Sequence, residues 1–220
     1  SIVETIYSGK AEIAKSLLQS GSWAYDKNVV DQVYSIAKAK ELLKEAGFEN
    51  GFKMNIWAMN VQRPYNPNAL TMAKLIQSDL KNIGVEVNIV SYEWATFLQR
   101  VGQGEHQTVL LGWTADHPDP DNFFTSLLSC AAVDTGNNST LWCNEKFDDL
   151  LQKALKTGNI KKRKAYYSEA LAMIAQEMPL LPLAHSKRYQ ARSNLVKGNI
   201  LSSFGGIDFS AVTKVAGSSK

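Results

Sequence analysis

The sequence predicts an α/β fold, a largely parallel sheet flanked by helices. Three observations predict it. Apolar patterning between residues 53 and 113 switches between the strand and helix periods in the order strand, helix, strand, helix, strand. The helical stretches stop at glycines, where a left-handed residue closes a last turn at least cost. The last strand stretch is a continuous apolar run rather than an alternating one, the pattern of a strand buried on both faces. Consecutive units of this kind join by right-handed crossovers, which set their strands parallel in one sheet.

Taken in order, Ser35 to Ala46 is rich in helix formers, and Gly47 stands at the C-cap position. "KMNIWAMN", Lys53 to Asn60, alternates as a strand does. In "NPNALTMAKLIQSDLKNIG", Asn66 is placed as N-cap and Pro67 as first helical residue, with Leu70, Ala73, Ile76, Leu80 and Ile83 as the apolar stripe and Gly84 as the stop. "VEVNIV" puts Val85, Val87 and Ile89 on one face of a strand. "EWATFLQRVGQG" reads as a short helix, and "TVLLGW" as the buried strand.

Beyond Asp119 the chain reads as mainly helical. Asp119 is placed as a cap and Pro120 as the start of a helix through Phe123, Leu127 and Leu128. Asn144 caps a second, with Phe147, Leu150, Leu151 and Ala154 on one face, and a third runs from Asn159 to Met178 before Pro179. The run "KKRK", Lys161 to Lys164, reads as the solvated first turn of that third helix. "PLLPLAHSKRYQAR" is expected to be extended, and the stretch from Asn194 is poor in pattern.

With 220 residues, 45% of them hydrophobic, the chain can bury a core as one large domain or two small ones. A net charge of +3 with acids and bases intermixed gives no reason to expect a nucleic-acid partner. No apolar run approaches the roughly 20 residues of a membrane span. The chain opens at Ser1-Ile2-Val3-Glu4 without a signal-peptide pattern, and the expectation is a processed or truncated form of a longer protein. Its two cysteines, Cys130 and Cys143, lack the paired spacing of a zinc site, and His106, His117 and His185 are scattered, so no metal and no cofactor are expected. The cysteines are compatible with one local disulfide or with two buried thiols.

In open parallel sheets ligands bind outside the carboxyl ends of the strands. Arg63 follows one such strand and Asp116 another. A guanidinium grips a carboxylate bidentately and an aspartate pairs with an ammonium, so together they match a zwitterion such as an amino acid or short peptide. Pattern alone also allows both to be ordinary exposed loop charges. "DHPDPD" lacks the spacing and distal glutamate of a calcium loop. Asp116 and His117 come with no nucleophile elbow, phosphate loop or GxGxxG, so a hydrolase is the weaker reading. Asp119 and Asp121 have structural work at a helix start, which leaves Asp116 as the carboxylate without a structural job.

"GWTADHPDPDNFF", the cysteines of "LLSCAA…NNSTLWCNEKFDDLL", and "NIWAMNVQRPYNPNA" resemble the C-terminal half of the periplasmic dipeptide-binding proteins of ABC importers, a family with oligopeptide-, nickel-, haem- and glutathione-binding relatives. The resemblance runs from about Ser35 to at least Gly198. It implies a type II periplasmic binding-protein lobe, with residues 1–187 as the second lobe and 188–220 as a hinge crossing and return segment toward a first lobe. The crossing itself is expected near Leu183 to Arg192. It implies that Asp116 meets a peptide's ammonium and Arg63 its carboxylate, that Gly112, Trp113 and Thr114 line the extended chain, and that Tyr65 is a pocket aromatic. It also implies a Cys130–Cys143 disulfide, a periplasmic location with or without a lipid anchor, a monomer, and an inner-membrane permease as partner. The implied protein is a binding protein and not an enzyme; its alternative ligands are glutathione, haem or a cationic host-defence peptide.

Overall fold

The computed structural model describes residues 1–29, 33–198, 201 and 206–215. In chain order they form α1 (Ile2–Tyr7), β1 (Ala11–Ile13), α2 (Ile36–Glu45), β2 (Lys53–Ala58), α3 (Ala69–Lys81), β3 (Glu86–Val90), α4 (Trp94–Gly102) and β4 (Thr108–Leu110). There follow α5 (Asp121–Leu128), α6 (Cys130–Asp134), α7 (Glu145–Lys156), α8 (Ile160–Glu177), β5 (Ala184–Ser186), β6 (Val196–Lys197) and β7 (Thr213–Lys214).

β2 is the centre of a three-stranded sheet of order β3-β2-β4, parallel throughout, with Ile56 opposite Ile89 and Ala58 opposite Leu110. The expected parallel α/β sheet is therefore present. Its core joins Ile56, Trp57, Ala58 and Met59 of the central strand region to Ala69 and Ala73 of α3, Val85 and Val87, and Phe97 and Val101 of α4. "TVLLGW" departs from its reading as a strand buried on both faces. Only Thr108–Leu110 pair, at the sheet edge, with Thr108 exposed and Val109 and Leu110 half-buried. Val109 and Leu110 pack against the sheet core, and Leu110 also against the small cluster of Ile6, Tyr7 and Met72, yet both stay partly open to solvent.

The helical half has its own core. Phe147, Leu150, Leu151 and Ala154 of α7 are buried, the four residues assigned to that face from periodicity. They pack with Phe124 and Leu128 of α5, with Tyr167, Leu171 and Ile174 of α8, and with Leu17 and Leu18. Asn144 caps α7 as expected, and Asn159 caps α8, each accepting two backbone N–H bonds. The disulfide Cys130–Cys143, with Cα atoms 4.5 Å apart, ties α6 to the approach of α7. The Asp148 carboxylate accepts the Cys130 N–H at 3.1 Å beside it.

Two expected details change. Asn68, not Asn66, caps α3, accepting from the Thr71 N–H at 3.0 Å. Asn66 is instead buried within the preceding turn, where its side-chain oxygen accepts the Asn68 N–H at 3.1 Å. The "KKRK" run is not wholly solvated either: Arg163 turns inward, with only 17% of its side chain exposed. An α-helix repeats every 3.6 residues, so one member of a four-residue run can face inward while its neighbours face water.

α1 and β1, for which sequence pattern offers no assignment, close the fold against β5. β1 and β5 pair antiparallel with Ala11 opposite Ser186. Ile6, Tyr7 and Ala11 share a small core with Met72 of α3. The expected extended segment 179–192 thus contributes β5. Within 188–220, β6 and β7 pair antiparallel, while residues 199–200, 202–205 and 216–220 of the expected return segment lie outside the described residues.

Candidate functional site

Because β2 and β4 are parallel neighbours in register, their carboxyl ends lie side by side. Arg63 follows β2 and Asp116 follows β4, so the two loops leave one edge of the sheet. This is the place where an open parallel sheet offers its crevice.

The first loop is a tight turn. Arg63 and Asn66 exchange both backbone hydrogen bonds at 3.0 Å. Braces from far along the chain fix it: the Tyr7 hydroxyl donates to the Tyr65 carbonyl at 2.8 Å, and the Ser186 hydroxyl to the Pro64 carbonyl at 2.8 Å. The half-buried Arg63 lies with its guanidinium carbon 4.1 Å from the centre of the Trp94 ring, at the start of α4. A guanidinium on an aromatic face keeps its edge N–H groups free for a planar acceptor. Burial pushes the Tyr65 hydroxyl above its ordinary pKa, with Arg63 beside it opposing part of the effect.

The two loops touch through Tyr65 and Gly112. A Cβ placed on Gly112 would fall 2.4 Å from Tyr65 Cδ2 and 2.6 Å from its Cγ, so the tyrosine ring occupies the space a side chain would fill. Gly112→Ala is expected to displace Tyr65 and the turn it belongs to. Thermal stability should fall by about 1–3 kcal/mol, the usual cost of overpacking. Thermal unfolding of the variant checks this.

In the second loop the organising residue is Asn122, 8% exposed in the first turn of α5. Its side-chain oxygen accepts from the Trp113 indole N–H at 2.8 Å and from the Asp116 backbone N–H at 3.2 Å. Its amide nitrogen lies 3.3 Å from His117 Nε2, while the Asp119 N–H faces His117 Nδ1 at 3.3 Å. An imidazole offers at most one acceptor nitrogen, so His117 accepts one of these two N–H groups at a time and is tied into the loop by that bond. Trp113 and Thr114 are half-buried between the two ends, and the Asp116 side chain is exposed.

Asp119 anchors this loop to the helical half. Its carboxylate accepts from Arg163 Nη1 at 2.8 Å and Nη2 at 2.9 Å, from the Tyr167 hydroxyl at 3.3 Å, and from the Asp121 N–H at 3.1 Å. The Arg163 guanidinium lies 5.1 Å from the centre of the Trp23 ring. Burial pushes the Asp119 carboxyl up, but the Arg163 hydrogen bonds and the Asp121 N–H outweigh it, and its pKa lies below the ordinary carboxylate value. Helix α5 itself begins at Asp121 with Pro120 at the cap position. The expected cap is thus displaced: Asp119 lies one residue before the cap position, where its carboxylate still accepts the Asp121 N–H.

Trp94, Asn122, Tyr7, Ser186 and Arg163 are the residues that sequence reasoning does not single out. Asn122 had one available signal: asparagine is a weak helix former, out of place in a first helical turn unless its side chain has local work. An apolar groove of about 350 Å³, lined by Ile13, Leu17, Leu171, Ile174, Met178 and Leu183 among others, includes none of the candidate ligand residues. The charged loops, and not this groove, carry the recognisable chemistry.

Residues 1–135 match the family model described as bacterial extracellular solute-binding proteins, family 5, middle region. The chain is 45% identical to the dipeptide-binding protein of Escherichia coli (strain K12), over 97% of this chain and 40% of that protein. It is 38% identical to heme-binding protein A of Haemophilus influenzae, over 93% of this chain and 37% of that protein. Among solved structures it resembles a dipeptide-binding protein from Pseudoalteromonas sp. SM9913 in complex with Met-Leu, with a TM-score of 0.88 and 52% identity. That match covers 97% of this chain and 42% of the other. The chain thus spans about two-fifths of the length of its relatives, and its α/β architecture is that of the type II periplasmic binding proteins. A family model that matches more than half of its length, together with these relatives, shows that the chain belongs to family 5 of the bacterial extracellular solute-binding proteins.

Proposed function

We propose that this chain is the second lobe of a periplasmic peptide-binding protein of an ABC importer, gripping a dipeptide or short peptide by its charged ends. Residues 1–187 form the lobe, and 188–220 make the crossing and return toward a first lobe. Asp116 takes the ligand's ammonium and Arg63 its carboxylate. Gly112, Trp113 and Thr114 run beside the peptide backbone, and Tyr65 walls the pocket.

The observation that carries this reading is the meeting, at one sheet edge, of the Arg63 turn and the Asp116 loop, with Tyr65 seated on Gly112. A cation presented on an aromatic face and an exposed carboxylate on a braced loop suit the two ends of a zwitterion. No bond is made or broken; the working step is closure of two lobes around the ligand. The complete protein acts as a monomer in the periplasm, free or lipid-anchored, and hands its ligand to the membrane permease.

Native mass spectrometry of the complete protein, purified from its own host, tests the ligand class directly. Co-purified masses of short peptides are the expected result. A haem mass would favour the reading suggested by the Haemophilus relative, whose propionates Arg63 could hold as it would a peptide carboxylate. A glutathione mass or a longer cationic peptide would likewise replace the dipeptide assignment.

A further inference from the structure

We infer that Asn122 is a positioning residue for ligand capture: a buried amide that sets the Asp116 backbone and the Trp113 indole in one geometry without itself reaching the ligand. The inference rests on the proposed role of Asp116 and Trp113 in holding the peptide.

The bonding pattern leaves little choice. The Trp113 indole N–H and the Asp116 backbone N–H are both obligate donors, so the group between them must be an acceptor. That assigns the amide oxygen of Asn122 to them and turns its NH₂ toward His117 Nε2. Asn122 is 8% exposed and sits in the first turn of α5, a rigid element packed into the helical core by Phe124 and Leu128. The loop is thus referenced to a helix, and the Asp119–Arg163 pair holds the start of that helix against α8. Fixed geometry of this kind lowers the ordering cost when a ligand binds. Removing the acceptor leaves two donors short of a partner and frees the chain on both sides of Thr114.

The test uses the complete protein, with Met-Leu and N-acetyl-Met-Leu as probes. Asn122→Leu keeps the shape and removes the acceptor. Asn122→Asp keeps an oxygen for both donors and accepts from the Nε2–H tautomer of His117. Asn122→Leu is expected to weaken Met-Leu binding about tenfold or more, and Asn122→Asp to restore it to within about threefold of the parent. N-acetyl-Met-Leu, which has no ammonium for Asp116, should lose less than Met-Leu does. In an Asp116→Ala background the Asn122→Leu loss should shrink.

Exchange of the Trp113 indole N–H, assigned by its disappearance in Trp113→Phe, should be slow in the parent and in Asn122→Asp and fast in Asn122→Leu. Should Asn122→Leu fail to fold, Asn122→Ser, too short to serve both donors, takes its place. Parent-like Met-Leu affinity in Asn122→Leu, with Asp116→Ala still defective, would overturn the inference. So would losses at 116 and 122 that simply add. If Asp116→Ala itself binds normally, the proposed function fails while the indole exchange still reports whether Asn122 holds the loop.

Discussion

Alanine at Asp116 or at Arg63 in the complete protein is expected to weaken dipeptide binding by about 2–5 kcal/mol, because each leaves a charged ligand terminus enclosed without its partner. The two losses differ in kind. At Asp116 an exposed carboxylate on a loop referenced to Asn122 is removed, and the surrounding bonds remain. At Arg63 the cation is also the group resting on Trp94, so truncation uncovers an aromatic face. Arg63→Lys should recover only part of the loss. A lysine ammonium is a point charge, without the planar fork that both lies on a ring and meets a carboxylate with two parallel N–H groups. Titration calorimetry on the three variants checks the order: parent, then lysine, then the two alanines.

Arg163→Met should cost about 2–3 kcal/mol of stability at neutral pH, below the figure for a fully enclosed pair because part of Asp119 still meets water. The side chains of Arg163 and Asp119 are 17% and 32% exposed. Methionine keeps the bulk against Trp23 and Tyr167 but leaves the Asp119 carboxylate with only the Tyr167 hydroxyl and the Asp121 N–H. The pH dependence follows from the lowered pKa of Asp119. A carboxyl depressed in the folded state contributes stability that is fully present above its unfolded value, near 4, and is lost as pH falls through the folded value. The gap between parent and Arg163→Met in urea unfolding should therefore be widest at neutral pH and narrow below about pH 4. A gap that widens in acid would contradict the assignment of Arg163 as the partner that lowers Asp119.

What was legible in the sequence was the part written in local pattern. The helices from Ser35 onward, the short α6 apart, announce themselves by period and stop, and the four buried residues of α7 are the four that the stripe names. Arg63 and Asp116 could be placed at one sheet edge because the loops that follow parallel strands all emerge there. The rest depends on partners distant in sequence. β1 has only three residues and gains its identity from β5, more than 170 positions on. Tyr7 and Ser186 brace the Arg63 turn from opposite ends of the chain, which no window of pattern contains. Arg163 looks like one more surface cation until Asp119 is seen across from it. The edge position of β4 also follows from what lies beside it, since an apolar run reads alike in a central and an edge strand.

In the proposed binding mode, Asp116 and Arg63 hold opposite ends of one peptide. Calorimetry of the complete protein with Met-Leu, N-acetyl-Met-Leu and Met-Leu amide, repeated on Asp116→Ala and Arg63→Ala, tests it most directly. Acetylation should cost the parent most of its affinity and cost Asp116→Ala little more, while amidation should do the same for the parent and Arg63→Ala. Equal penalties for each blocked peptide in parent and variants alike would contradict the claim and release both residues from the ligand's termini.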